Sequence, residues 1–137
     1  DANFTIRSVH LSVAGEKIVV FNSDGQGNWT DEVGNPLPKF AGCVDIDITA
    51  TPFTNTLPLR RLAWDVGQRR EFKMLYVTAP ALTLSISEQR YTCLEKSAMG
   101  GLFRFELVDG SFSADLPVDA DGLVLDYPGL FRRLWTA

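Results

Sequence analysis

Turn-forming sequences recur at short intervals along this chain, and most segments between them alternate apolar and polar side chains. An extended segment with such alternation presents one face to a core and the other to solvent or a second layer. Strands separated by turns roughly every 8–12 residues are typical of sandwiches and barrels. The chain is therefore predicted to be mostly β, as a curved antiparallel sheet or a partly open β-barrel with one or two short helices.

Two further patterns predict particular strands. Asp109-Gly110 lies between two apolar segments, and this dipeptide favours a tight hairpin because both of its central residues need positive φ. A first strand is predicted from Phe4 to Val13. The alternation changes phase near Arg7-Ser8, which indicates a bulge there.

The cleanest alternation runs from residue 43 to residue 48, and it places Asp45 and Asp47 on the same face of a strand. Carboxylates two residues apart on a strand lie roughly 6–7 Å from each other. That spacing suits a metal ion or an acid–base pair. It also arises from any strand with one solvated face, so both interpretations stay open.

Two short helices are predicted. The first runs from Leu57 to Val66, with Thr56 as its cap, Pro58 in its first turn and Gly67 at its end. The second is a brief amphipathic helix at the end of the chain. Its buried stripe would consist of four apolar side chains: Leu130, Phe131, Leu134 and Trp135.

Length and charge exclude several classes of protein. The 137 residues suit a single domain covering residues 1–137, and no apolar run approaches the roughly 20 residues of a membrane-spanning helix. The net charge of −4 argues against a nucleic-acid partner, since such partners favour a basic excess. No leader precedes the domain, so we expect a cytoplasmic protein, although a first residue of Asp1 indicates a trimmed N-terminus.

Few residues have the spacing that catalysis or cofactor binding requires. His10 is the only histidine and lies in a regular strand pattern, away from any nucleophile motif. Cys43 and Cys93 lie in apolar segments, which favours buried free thiols, while export would permit a disulfide. No phosphate loop, dinucleotide fingerprint or zinc spacing is present, so no cofactor and no metal are expected.

The segment 51–56 mixes hydroxyls, an amide and Phe53, and Arg60-Arg61 follow soon after. Short polar side chains beside arginine forks can bind hydroxyls and anions. The same side chains can instead satisfy the backbone of their own loop.

Three runs resemble a bacterial family of glycolipid-binding proteins that was formerly a domain of unknown function. They are GCVDIDITATPFTNTLPLRRL at residues 42–62, QRY at residues 89–91 and LPVDADGLVLDYPGLFR at residues 116–132. The resemblance implies a curved, partly closed antiparallel sheet similar to periplasmic lipoprotein carriers. Family members usually extend further at the N-terminus, so the resemblance also implies that this chain lacks their first strands.

The resemblance, together with the apolar concave face that a curved sheet offers, predicts a non-catalytic protein that binds a lipid, a glycolipid or another amphiphile in an apolar concavity. Phe53, Tyr76 and Tyr91 are expected as aromatic walls. The predicted ligand contacts come from the matching runs: Phe53, Thr54, Asn55, Arg60, Arg61, Gln89, Tyr91, Asp121 and Tyr127. A protein-interaction module and a hydrolase or isomerase that uses Asp45 and Asp47 are the alternatives.

Overall fold

The structure, a computed structural model, describes residues 1–14 and 17–134, without the side chain of Lys17. The predicted fold class is confirmed, because strands dominate these residues. The elements are β1 (Ser8–Val13), β2 (Lys17–Ser23), β3 (Trp29–Asp31), a 3-10 helix (Pro38–Phe40), β4 (Asp45–Ile48), α1 (Phe53–Arg61), β5 (Arg69–Thr78), β6 (Thr83–Ser97), β7 (Gly100–Leu107), β8 (Ser113–Asp119), β9 (Asp126–Tyr127) and β10 (Phe131–Arg132). The helices among these residues all lack the length and apolar character of a membrane span.

The strands form three sheets, of order β1-β2-β3, β10-β9 and β4-β5-β6-β7-β8. The largest sheet ends in two edge strands, β4 and β8, and so does not close on itself. One pairing in this sheet departs from the predicted antiparallel arrangement: β4 and β5 pair in parallel, with Asp47 opposite Tyr76. The connection between these strands contains α1, and parallel neighbours require a long crossover of this kind.

The chain divides into two compact units, and β5 and β6 each contribute residues to both. Unit 1 comprises Asp1–Ala50 and Lys73–Ser87. Its antiparallel sheet β1-β2-β3 includes Trp29, the first residue of β3, which is only 2% exposed. The indole Nε1–H of Trp29 donates to the carbonyl oxygen of Cys43 at 2.7 Å, so this buried donor is satisfied.

Unit 2 comprises Thr51–Phe72 and Glu88–Ala137, of which residues 135–137 lie outside the described part. Strands β6, β7 and β8 form an antiparallel meander, with a register shift between Cys93 and Glu95. A series of aromatic rings in contact runs through this unit, with centroids 5.3–6.4 Å apart. Its members are Trp64, Phe72, Tyr91, Phe103, Phe105, Phe112, Tyr127 and Phe131.

The helix occupies a different segment from the one predicted. It runs over Phe53–Arg61, so it begins four residues before Leu57 and ends five before Val66. Thr56, predicted as the cap, is a buried residue of the helix, and Pro58 lies inside it. Threonine and an internal proline are poor helix formers. Burial of Thr54 through Leu59, six consecutive residues, supplies stability that local propensity does not.

Two predictions near the ends of the chain are also wrong. Residues 131 and 132 form β10, which pairs with β9, where a helix is predicted. The turn after Tyr127 contains Pro128-Gly129, and these residues favour a hairpin over a helix start. The stripe residue Trp135 lies outside the described residues. The first strand begins at Ser8, because Phe4 has a positive φ of 58° and interrupts the extended conformation.

Candidate ligand-binding site

The start of α1 is organised by its own side chains. Thr51 Oγ1 accepts a hydrogen bond from the backbone N–H of Phe53 at 3.1 Å, and the Thr54 hydroxyl donates to the Thr51 carbonyl at 3.3 Å. These bonds satisfy backbone groups at the helix terminus, as local hydroxyls commonly do. The ring of Phe53 is 50% exposed. Of the residues in the first turn, Phe53 is therefore the one available to a ligand.

Four of the predicted contacts lie in the core of unit 2. Thr54, Asn55, Gln89 and Tyr91 are all buried, and Asn55 Nδ2 donates to the Tyr91 hydroxyl at 2.7 Å. Gln89 and Tyr91 lie two residues apart on β6, so their side chains project from the same face. A buried polar pair of this kind fixes α1 in one position against β6.

The remaining charged contacts lie near the loop that follows β8. Arg60 Nη1 lies 3.3 Å from Asp121 Oδ1 in an exposed ion pair, and the neighbouring Arg61 is half-buried. Asp119 organises the same loop: its Oδ1 accepts the backbone N–H groups of Asp121 and Leu123, and its Oδ2 accepts Arg133 Nη1 at 2.7 Å. Burial favours a higher pKa for Asp119, but the Arg133 and backbone hydrogen bonds outweigh it and lower this pKa below its usual value.

An apolar pocket opens beside the first turn of α1, and we call it the β9–β10 pocket. Its volume is about 290 Å³. Aliphatic and aromatic side chains provide most of its wall, and two arginines complete it. The lining residues are Thr51, Pro52, Phe53, Leu123, Val124, Leu125, Tyr127, Phe131, Arg132 and Arg133. The pocket thus brings together two of the predicted contacts, Phe53 and Tyr127.

A second, smaller pocket of about 120 Å³ lies at the other end of α1. We call it the glycine pocket, because Gly100, Gly101 and Gly122 contribute to its wall. Its other lining residues are Leu59, Arg60, Leu62, Trp64, Lys96, Ser97, Phe103, Val118, Asp119 and Ala120. A Cβ on Gly100 would clash with the backbone of β8, so the approach of β7 to β8 requires glycine at this wall.

Asp45 and Asp47 both lie in unit 1, and their environments differ. Asp45 is 1% exposed, so the solvated-face interpretation is wrong for this residue. Asp47 is half-buried opposite Tyr76, and burial, followed by the negative charge of Asp47, raises the pKa of the Tyr76 hydroxyl. Within the residues that the structure describes, no group of three or more His, Cys, Asp or Glu side chains could hold a metal ion.

Cys43 and Cys93 are both buried free cysteines, as the sequence favours. Burial raises the pKa of each thiol, so neither is prepared to react as a thiolate near neutral pH.

Sequence reasoning missed several residues that line the β9–β10 pocket, namely Leu123, Val124, Leu125, Phe131 and Arg133. The signal was available in the run of residues 116–132, where three apolar residues follow Asp121-Gly122 without alternation. The helix predicted at the end of the chain prevented the assignment of these residues to a pocket, because a helix would direct the side chains of Phe131 and Arg133 differently from a hairpin.

The fold and the two pockets define a class: a β-sheet protein with one buried helix and small pockets of mixed apolar and polar lining. The chain belongs to the family described as "Putative glycolipid-binding", whose model matches residues 1–133. It is also similar to the crystal structure of a DUF1089 family protein from Pseudomonas aeruginosa. The two are 46% identical with a TM-score of 0.89, over 98% of this chain and 73% of that one. No curated protein matches the chain.

Proposed function

We propose that this protein binds an amphiphile of the lipid or glycolipid class without catalysing a reaction on it. One observation carries the proposal: the lining of the β9–β10 pocket combines an apolar wall with two arginines. Small-molecule sites are typically apolar with a few placed polar groups and have volumes of roughly 300–1,000 Å³. At about 290 Å³ this pocket lies at the lower end of that range and suits part of an acyl chain.

In this proposal the tail packs against the apolar wall. Leu123, Val124 and Phe131 offer aliphatic and aromatic surface to it, and each methylene removed from water contributes about 0.8 kcal/mol. Phe53 and Tyr127 provide the aromatic sides.

The predicted contacts that lie outside this pocket have two roles. Thr54, Asn55, Gln89 and Tyr91 position α1, and through it the ring of Phe53. Arg60, Arg61 and Asp121 lie at the other end of the helix, where they are near a head group that extends beyond the tail.

The sharpest test fills the pocket. Leu123→Trp adds a large ring to the wall, and Val33→Trp is the matched control, because Val33 is exposed in unit 1. Binding is measured by displacement of the dye 1-N-phenylnaphthylamine with dodecyl phosphate. We expect Leu123→Trp to weaken dodecyl phosphate binding at least about tenfold, a loss of about 1.4 kcal/mol. Equal binding by Leu123→Trp, Val33→Trp and the unmodified protein would contradict the proposal.

A second experiment identifies the natural ligand. Native mass spectrometry of the protein purified from its own host should show a bound mass in the lipid range, and Leu123→Trp should lose it. A ligand-free mass, together with no change in melting temperature on addition of lipid, would count against amphiphile binding.

Protein interaction is a second candidate, because apolar side chains are exposed around the same pocket. Leu130 and Leu134 lie next to its lining residues, and Leu134 is 93% exposed. Apolar surface exposed in one place often marks a partner-binding site. Leu130→Ser would weaken the binding of a protein partner and leave dodecyl phosphate binding unchanged. Leu123→Trp would weaken dodecyl phosphate binding and leave the binding of a protein partner unchanged.

A further inference from the structure

We infer that the glycine pocket is the head-group subsite of the same ligand and that the group it takes is a neutral sugar. The inference rests on the proposed function, since it places the tail in the β9–β10 pocket. It assigns a ligand chemistry to a second set of residues, of which only Arg60 is among the predicted contacts.

The two pockets are adjacent because one ion pair belongs to the wall of each. Arg133 lines the β9–β10 pocket, Asp119 lines the glycine pocket, and their side chains are 2.7 Å apart. The chain continues from Asp119 and Gly122 in one wall to Leu123 in the other. A ligand with its tail in one pocket and its head group in the other would therefore pass over the Asp119–Arg133 ion pair, which belongs to the walls of both pockets.

The lining of the glycine pocket has the mixed polarity that sugar hydroxyls need. Lys96 and Arg60 are donors, Ser97 can donate or accept, and Asp119 is an acceptor. Leu59 and other apolar side chains complete the wall. Because cations and a carboxylate are both present, the lining is not a dedicated anion site. A hydroxyl is at once donor and acceptor, so several sugar hydroxyls match such a wall.

Trp64 supplies an independent observation on this wall. It is 3% exposed, and its indole N–H has no hydrogen-bond partner among the residues that the structure describes. Buried donors are nearly always paired, and in this proposal the ligand supplies the missing acceptor. The backbone of the same residue is already engaged, because Lys96 Nζ donates to the Trp64 carbonyl at 2.8 Å.

The indole N–H of Trp64 is also a direct reporter. The chain has three tryptophans, so a protein labelled with ¹⁵N-tryptophan gives three indole signals, and Trp64→Phe assigns one of them. The probes are octyl β-D-glucopyranoside, 1-octanol and octyl phosphate, all below their critical micelle concentrations. We expect octyl glucoside to bind more tightly than 1-octanol and to shift the Trp64 signal, while 1-octanol binds without shifting it.

Lys96→Met tests the subsite without removing its aliphatic packing, and Lys39→Met is the matched control, since Lys39 lies over Phe40 in unit 1. Loss of one charged donor should reduce the preference for octyl glucoside over 1-octanol about tenfold. Lys39→Met should retain the full preference. The ratio remains informative if Lys96→Met is less stable, because the affinity for 1-octanol is measured on the same variant.

The outcomes separate the two proposals. Equal affinities for octyl glucoside and 1-octanol, with the Trp64 signal unmoved, would overturn the sugar subsite and leave amphiphile binding standing. A Trp64 shift with octyl phosphate alone would overturn the neutral sugar in favour of an anionic head. If none of the three probes binds, the proposed function itself fails, and the subsite fails with it.

Discussion

Two buried tryptophans, one in each compact unit, differ by a single hydrogen bond. Trp29 in unit 1 donates its indole N–H to the Cys43 carbonyl at 2.7 Å. Trp64 in unit 2 is buried to a similar degree, but its N–H has no acceptor in the described part of the chain. A core that only has to be stable satisfies its donors. This difference is what the binding role proposed for unit 2 predicts.

Other features of unit 2 support this interpretation. The buried Oγ1 of Thr56 and Nε of Arg70 also have no hydrogen-bond partner within the described residues. The β9–β10 pocket and the glycine pocket are both lined by residues of unit 2. Proteins depart from full polar satisfaction and close packing chiefly at functional sites.

The two tryptophans themselves give the largest expected difference. Trp29→Phe leaves the Cys43 carbonyl without its donor and removes buried volume, so we expect a loss of about 2–4 kcal/mol in the free energy of unfolding. Trp64→Phe removes volume but no hydrogen bond, and we expect about 1–2 kcal/mol. Urea titration followed by circular dichroism measures both. An equal or greater loss for Trp64→Phe would show that its N–H is satisfied in solution.

A pair of tyrosines sharpens the same contrast. Tyr91→Phe in unit 2 removes the hydroxyl that accepts a hydrogen bond from the buried Asn55 amide. The expected loss in the free energy of unfolding is about 1–3 kcal/mol. Tyr76→Phe in unit 1 changes a half-buried hydroxyl and should cost less than 1 kcal/mol. Melting in urea at pH 7 compares the variants. A Tyr91→Phe protein as stable as Tyr76→Phe would mean that the Asn55–Tyr91 bond does not hold α1 in place.

The smallest expected difference concerns two aspartates in acid. The pKa of Asp119 in unit 2 is lowered in the folded state, so its stabilisation is complete above about pH 4 and is lost as the pH falls through the folded pKa. Asp119→Asn should therefore lower stability at pH 7 by about 1 kcal/mol and flatten its dependence on pH below 4.

Asp24 in unit 1 is the control for that experiment. The Asn28 side chain and the Gln26 and Asn28 backbones lower its pKa too, but the carboxylate is fully exposed. Asp24→Asn should change the melting temperature less than Asp119→Asn does at pH 7. The reverse order would contradict the role given to the Asp119–Arg133 pair.

The strands were more predictable from sequence than the helix. The position of the hairpin at Asp109-Gly110 was correctly identified, because a turn is a local requirement. Its tightness was not: β7 ends at Leu107 and β8 begins at Ser113, and of the two turn residues only Gly110 has a positive φ, of 77°. The start of α1 was missed because the threonines and asparagine at 51–56 resemble a loop. Their burial within unit 2 decides the conformation, and burial of that kind depends on the rest of the fold.

The candidate site was predictable only in part. Phe53 and Tyr127 were named from the sequence and line the β9–β10 pocket. Asn55 and Tyr91 were named as contacts and instead form a buried pair, because polar residues in a binding motif and polar residues in a core look alike in sequence. Arg133 was missed because its position depends on the β9–β10 hairpin.

Photolabelling tests the central claim most directly. An alkyl alcohol with a diazirine near the end of its tail is bound, cross-linked by light and mapped by peptide mass spectrometry. We expect labels in residues 51–53 and 123–133, competed away by excess 1-octanol and absent in Leu123→Trp. Labels confined to unit 1, or labels that excess 1-octanol fails to displace, would show that unit 2 does not hold the amphiphile.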